Sequence, residues 1–416
     1  MHPFKTAATL IAMFIAVQAS GQSVYDTVKA DRDRASAHEG PYDMTAHPQT
    51  KPPKGYVPFH ISHYGRHGAR YAWRENTYTI IRDALMEGRE KGTLTPRGER
   101  LYGDYIPFCS IPTTDFGCLV PLGQKQQAFI AGTMSSQFPE VFRDGGKVVA
   151  RASRVQRAIT SMASFCTRLA ALRPGLDISM RSYTSEMRVT RSEAGPGEPD
   201  IIGEAGRTSA SFCSSEEYAS RKVNPDPIVG SIFTRSPFAN RQEAVSFCLA
   251  LYDIWSGYRN YSEDLFLEDI FTPEQLCALW DAANFRDLKS TIEKNRCNPA
   301  HFVEDLISRA DEAIEGNGVC ADLRFGHDIV VTSELIYLNI NGLGRLPECE
   351  EQVRDCIQTW NVPMASNLQF VFYRSRRSPD ILFKLLLNGS EASLSDLEPL
   401  QWPYYRWDDF KKRYSK

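Results

Sequence analysis

The chain has 416 residues, of which 42% are hydrophobic, 11% aromatic and 24% charged. That is ordinary globular composition, which excludes collagen-like, low-complexity and disordered classes, and at roughly 100–200 residues per domain the length allows two to three domains. Lys and Arg total 48 against 51 Asp and Glu, a formal net charge of −3, so nothing in the sum points to broad affinity for nucleic acid or anionic lipid.

The N-terminus reads as a secretory signal over residues 1–21. Lys5 precedes an apolar stretch at 7–17 that is too short to span a bilayer. Small residues at Ala19, Ser20 and Gly21 suit cleavage. No later run is long and apolar enough to cross a membrane, so a secreted or periplasmic protein is expected. Ten cysteines fit export. None stands in a Cys-x-x-Cys pair, which speaks against a zinc ribbon. An even count suggests disulfides, and Cys109 with Cys118, or Cys349 with Cys356, are close enough to close local loops. Cys166 and Cys248 sit in apolar helical contexts that suit buried thiols.

Residues 22–54 are polar and contain prolines, and they read as an irregular arm. Residues 56–62 (YVPFHIS) are β-prone and run into a glycine-bounded loop. Helices are predicted over 76–91 and 121–138, a short strand over 147–150, and a helix over 159–172 on the spacing of Ile159, Met162, Cys166 and Leu169. Residues 173–240 look loop-rich. Residues 241–316 read as helical. There Thr272-Pro273-Glu274-Gln275 forms a capping box, and a helix opened by Asn298-Pro299 ends at Gly316. A strand follows at 321–325, a helix from about Thr332, and late strands at 368–373 and 381–387. This order predicts an α/β domain from 55–172 plus 318–416, carrying a mainly helical cap over 173–317.

The densest polar constellation, Ser62-His63-Tyr64-Gly65-Arg66-His67-Gly68-Ala69-Arg70, follows the first strand directly. Its glycines permit a close backbone approach to a ligand. Arg66 and Arg70 are forks suited to tetrahedral oxyanions, and His67 stands between them as a nucleophile or acid–base group. Three other readings stay open: a metal site from His60, His63 and His67, a carboxylate ligand, or solvated side chains. The histidine spacing aligns ligands only on a helix, which Gly55, Pro58, Gly65 and Gly68 oppose. A second cluster, Arg151, Arg154 and Arg157, opens a helix, where an anion would be favoured. His327-Asp328 follows the strand at 321–325 and supplies a general acid, or else a simple helix cap. Asn260-Tyr261-Ser262 and Asn388-Gly389-Ser390 are glycosylation sequons.

Arg66-His67-Gly68-Ala69-Arg70 resembles the RHGxRxP signature of the histidine acid phosphatases. Arg151 to Arg157 is similar to their downstream arginine segment, with Arg157 matching its second arginine. His327-Asp328 matches their late His-Asp pair, and Leu119-Val120-Pro121-Leu122-Gly123 looks like their LTPLG helix start. The chain departs from the pattern at Ala72, where the signature has proline, and at Ala152, Ser153 and Ala158. It is also similar to the multiple inositol-polyphosphate phosphatase branch, which typically carries His-Ala-Glu at the late motif.

The resemblance implies a three-layer α/β sandwich of the phosphoglycerate-mutase kind with an inserted helical cap. It implies phosphomonoester hydrolysis through a phosphohistidine on His67. Arg66, Arg70, Arg157 and His327 would hold the phosphate and Asp328 would be the proton donor, with no metal and no cofactor. The implied partner is a small phosphorylated substrate, inositol polyphosphates among the candidates. Competing functions are a phosphoglycerate-mutase-type phosphotransferase and a non-catalytic anion-binding surface protein. Lys91 and Arg154 are further charges near this framework, without an assigned contact.

Overall fold

The computed structural model describes residues 23–110, 112–192, 212–291 and 298–415. The expected signal sequence, the GPGEP run at 195–199 and Cys297 lie outside the described residues. Eight strands form one mixed sheet: β1 (Tyr56–Arg66), β2 (Lys147–Ala152), β3 (Asp177–Arg181), β4 (Val319–Gly326), β5 (Asn367–Ser375), β6 (Ser378–Leu387), β7 (Ser390–Ala392) and β8 (Tyr405–Arg406). Their order is β3-β2-β4-β1-β5-β6-β7, with β8 against β6. The β3-β2-β4-β1 half is parallel, and β1-β5-β6-β7 is antiparallel.

The central strands carry continuous buried runs rather than alternation, such as Leu368, Phe370, Val371 and Phe372 in β5. Such runs belong to a sheet covered on both faces. On one face pack α4 (Pro121–Gln137) and α5 (Gln156–Leu172), through Ile130, Met134, Met162, Phe165 and Leu169. On the other lie the helices Ala300–Glu315, Asp328–Tyr337 and Trp407–Tyr414, through Phe302, Leu306, Leu335 and Phe410. Each fully buried side chain of this size contributes roughly 1.5–3 kcal/mol. The expected α/β sandwich with added helices is the architecture present.

The loop after β1 abuts α4 at Gly123 and α5 at Ser161, whereas the helix after β4, Asp328–Tyr337, packs on the opposite face. The C-terminal ends of these adjacent parallel strands therefore open a crevice, the place where α/β sheets bind ligands.

A third apolar cluster joins the helices Ser215–Lys222, Asp226–Ile232, Arg241–Gly257 and Pro273–Lys289. It also takes in α2 (Glu75–Glu90) and α3 (Pro96–Cys109), as well as Val28, Ala35 and Ala37 from the N-terminal segment. That segment, read as irregular, carries α1 (Val24–Ala30), capped by Ser23, and a 3₁₀ stretch at Arg34–Glu39. Two further differences from the sequence reading concern 173–240. β3 extends the sheet by parallel pairing with β2, and short helices follow it. The Thr272 capping box forms as expected, and Gly316 closes Ala300–Glu315 with φ 98°.

The suggested disulfides are not seen: all nine cysteines among the described residues are free thiols, including Cys109, Cys118, Cys349 and Cys356. Cys166 and Cys248 are buried among apolar side chains, as their contexts suggested. The Asn260 sequon is structural, because its buried amide donates to the Glu39 carbonyl oxygen at 2.9 Å. No helix among the described residues is long and apolar enough to cross a membrane.

Candidate active site

Register brings the site together. Parallel pairing sets Gly65 opposite Phe325 and Arg66 opposite Gly326, so the two strands end side by side. Past their ends the His67 amide donates to the Gly326 carbonyl oxygen at 3.0 Å, and Ala365 N–H donates to the His67 oxygen at 3.0 Å. The N-terminal turns of α4 complete the cradle. Gln126 Oε1 accepts from Ala69 N–H at 2.8 Å, and Gln127 Nε2 donates to the Arg66 oxygen at 3.0 Å. Ser161 Oγ of α5 accepts from Gly68 N–H at 3.1 Å.

Gly68 and Gly123 make this approach possible. A Cβ on Gly68 would lie 2.4 Å from the Gly123 carbonyl oxygen, and one on Gly123 would lie 2.4 Å from the Ala69 oxygen. The Leu119–Gly123 motif thus supplies a helix start that backs directly onto the loop.

His67 is buried, and its Nδ1 is 2.9 Å from the Gly68 carbonyl oxygen. A carbonyl only accepts, so the neutral ring carries its proton on Nδ1 and leaves the Nε2 lone pair free. Burial, and then the cations Arg157, Arg66 and Arg70, hold His67 well below the usual histidine range. The ring is therefore neutral at physiological pH. The His327 ring lies 5.7 Å away, edge-on, and its Nε2 is 2.9 Å from Ser153 Oγ. Burial and Arg157 lower its pKa to about 3.

Arg66 is fully buried. Its Nη1 donates to the carbonyl oxygens of His38 and, at 2.9 Å, Val362, while Nη2 lies 3.1 Å from Asp328 Oδ2. Arg70 Nη2 pairs with Glu39 Oε1 at 2.6 Å. Arg157 has a longer contact, Nη1 to the Gly117 oxygen at 3.5 Å. Burial, and then Arg70, lower its pKa to about 10. The Nε groups of Arg66, Arg70 and Arg157 are all buried without a hydrogen-bond partner among the described residues. Orphaned charged donors are costly, and an oxyanion bound among them would satisfy them. Asp328 is more open, with 37% of its side chain exposed. Burial pushes its pKa up, but Arg66 and then His38 outweigh that and hold it well below the usual carboxylate range.

The sequence-predicted residues Arg66, His67, Arg70, Arg157, His327 and Asp328 thus share one crevice. Their neighbours in the second arginine cluster do not. Arg151 turns away into a buried ion-pair network, with Nη2 2.6 Å from Asp305 and 3.6 Å from Asp322, and Asp305 also holds Arg324. Arg154 is exposed and donates to Thr184 Oγ1 at 3.1 Å. The three-histidine reading also fails geometrically. His60 Nδ1 meets the Val319 oxygen at 3.1 Å, while the His63 ring lies between Phe165 and Phe325, and successive strand positions put 60 and 63 on opposite faces.

Sequence reasoning missed Ser153 as a partner of His327, and above all His38 and Glu39 from the N-terminal segment. No periodicity or motif marks that pair. A cavity of about 460 Å³ opens beside Arg70, His38 and Glu39, with Trp73, Arg74, Tyr261 and Arg286 in its walls.

No family model matches the chain, and no curated protein sequence matches it. Solved structures do. The multiple inositol polyphosphate phosphatase of Bifidobacterium longum superposes with a TM-score of 0.72 at 15% identity, over 92% of this chain and 98% of that one. The D. castellii phytase gives 0.68 at 13%, over 99% and 89%. The Hafnia alvei phytase gives 0.55 at 13%, over 88% and 98%. The likeness is one of fold.

Proposed function

We propose that this chain is a histidine acid phosphatase, a phosphomonoesterase that works through a phosphohistidine intermediate. The observation that carries the reading is the trio of buried, unpartnered guanidinium Nε groups around a neutral histidine whose free lone pair is fixed by the Gly68 carbonyl. Arg66, Arg70, Arg157 and His327 bind the phosphate oxygens and stabilise the charge that develops on them. His67 Nε2 attacks phosphorus as the P–O bond to the leaving group breaks, and Asp328 gives its proton to the departing oxygen. Water then attacks the phosphohistidine, Asp328 takes a proton from it, and phosphate leaves with His67 restored. The cavity beside Arg70 takes the leaving group. Inositol polyphosphates are the substrate class that the structural neighbours suggest, and the expected setting is secreted or periplasmic.

Asp328 is ionised next to Arg66, so it must acquire its proton. A phosphate bound to Arg66 competes for that guanidinium and adds negative charge beside the carboxylate, and both effects raise the Asp328 pKa. Turnover therefore falls as pH rises through that raised value, which places the optimum on the acidic side. Asp328→Asn is expected to lower kcat/KM, which reports the first phosphoryl transfer, about 10²–10⁴-fold on alkyl phosphates and far less on nitrophenyl phosphate, and to remove the alkaline decline. Equal losses on both substrates would assign the acid elsewhere. Gly68→Ala must push the loop off the Gly123 backbone. A displacement of this kind lowers kcat/KM on the order of 10²-fold, with folding retained by circular dichroism.

The experiment that tests the reading is phosphate release by the purified chain from inositol hexakisphosphate, a sugar phosphate and nitrophenyl phosphate in parallel. Release from none of them would favour the anion-binding alternative.

A further inference from the structure

Two of the three guanidinium groups around His67 carry a carboxylate partner. The one on Arg66 is Asp328, which the chemistry uses. The one on Arg70 is Glu39, which no step uses. Glu39 is nonetheless built in from several sides. Its Oε1 lies 2.6 Å from Arg70 Nη2 and 3.0 Å from His38 Nε2. Its carbonyl oxygen accepts from Asn260, and a Cβ on Gly257 would crowd Oε2 at 3.3 Å.

His38 in turn lies 2.5 Å from Asp287 through Nδ1. Asp287 meets Arg286 Nε at 3.2 Å, and Arg286 grips Asp253 with two contacts of 3.0 Å. The carboxylate at Arg70 is therefore anchored to the helices Arg241–Gly257 and Pro273–Lys289. Burial alone would lower the His38 pKa, but Asp287 and Glu39 raise it to about 10, so the bridge stays charged.

Three close cations without counter-charge would hold a phosphate dianion tightly, product as well as substrate. We infer that Glu39 is an internal counter-ion of the phosphate site, a positioning residue that fixes Arg70 and weakens the hold on inorganic phosphate so that product leaves. The inference rests on the phosphatase reading. Its sign is distinctive, because simple loss of structure at Arg70 would weaken phosphate binding, whereas loss of the counter-charge strengthens it.

The test is calorimetric titration of the full chain with inorganic phosphate, alongside product-inhibition kinetics. Glu39→Gln keeps the shape and removes the charge. It should bind phosphate on the order of tenfold more tightly, the lower end of coupling for close charge pairs, and kcat should fall as release slows. Glu39→Asp should return to the wild-type affinity. His38→Gln takes away the cation that shares the carboxylate, leaves its full charge on Arg70, and should shift affinity the opposite way, which keeps the test open if Glu39→Gln does not fold. Unchanged or weaker phosphate binding by folded Glu39→Gln overturns the inference, as does tighter binding by His38→Gln. Absence of phosphate binding by the wild-type chain overturns the phosphatase reading itself.

Discussion

His67→Ala is expected to reduce kcat at least about 10⁴-fold while phosphate binding persists. The two effects separate because different atoms carry them. In the proposed mechanism the lone pair of Nε2 makes the covalent bond, and among the described residues of the crevice no other group is placed to replace it. Ser153 and Ser161 are occupied by His327 and by Gly68 N–H. The oxyanion donors are on Arg66, Arg70 and Arg157, which keep their backbone and carboxylate anchors without the ring. The loop itself is held through main-chain bonds from His67 to Gly326 and Ala365, which alanine retains. Steady-state rates on nitrophenyl phosphate together with phosphate titration measure both quantities. A variant that keeps more than about a tenth of wild-type kcat would remove His67 from the nucleophile's role.

The second large effect is on stability. His60 and His63 are fully buried in β1, and burial lowers their pKa values to about 4 and about 3. Arg324 adds to the shift at His63, while Asp322 opposes it at His60. Both are neutral in the fold, and in the unfolded chain they take up protons below about 6.5. Their contribution is thus fully present above that pH and is lost as pH falls toward 4 and 3. At about 1.4 kcal/mol per pKa unit these contributions are roughly 3–4 kcal/mol for His60 and roughly 5 kcal/mol for His63. Thermal melts of the wild type should show Tm dropping steeply from pH 6.5 to 4. In His63→Leu, which keeps an apolar body between Phe165 and Phe325, that drop should be visibly shallower. Parallel curves for the two proteins would show that His63 protonation does not limit stability. Acidic chemistry at Asp328 and an acid-sensitive strand beside it would then bound the working pH from opposite sides.

The legible parts of this molecule are those where local sequence and final contact coincide. Arg66, His67 and Arg70 lie within five residues at the end of β1, so one turn gathers them. His327 and Asp328 end the neighbouring parallel strand, and register does the rest. Helices such as α5 declare themselves by an apolar stripe. Other features depend on partners far away in the chain. β3 has no apolar run of its own and exists by pairing with β2. α3 carries Gly98, Gly103 and Pro107, which break its pattern, yet Tyr105 and Phe108 bury it in the helical cluster. Arg151 and Arg157 look equivalent in sequence, but one precedes and the other follows the strand's end. Their side chains therefore meet Asp305 and the crevice respectively. His38 and Glu39 acquire meaning only when the N-terminal segment folds back over Arg66 and Arg70.

The most direct measurement is to quench the wild-type chain during turnover of a ³²P-labelled phosphomonoester and map the label. The expected product is a phosphoprotein that is stable in alkali, labile in acid, confined to the peptide carrying His67 and absent from His67→Ala. A chain that turns over substrate without trapping label, or that retains label in His67→Ala, would contradict it.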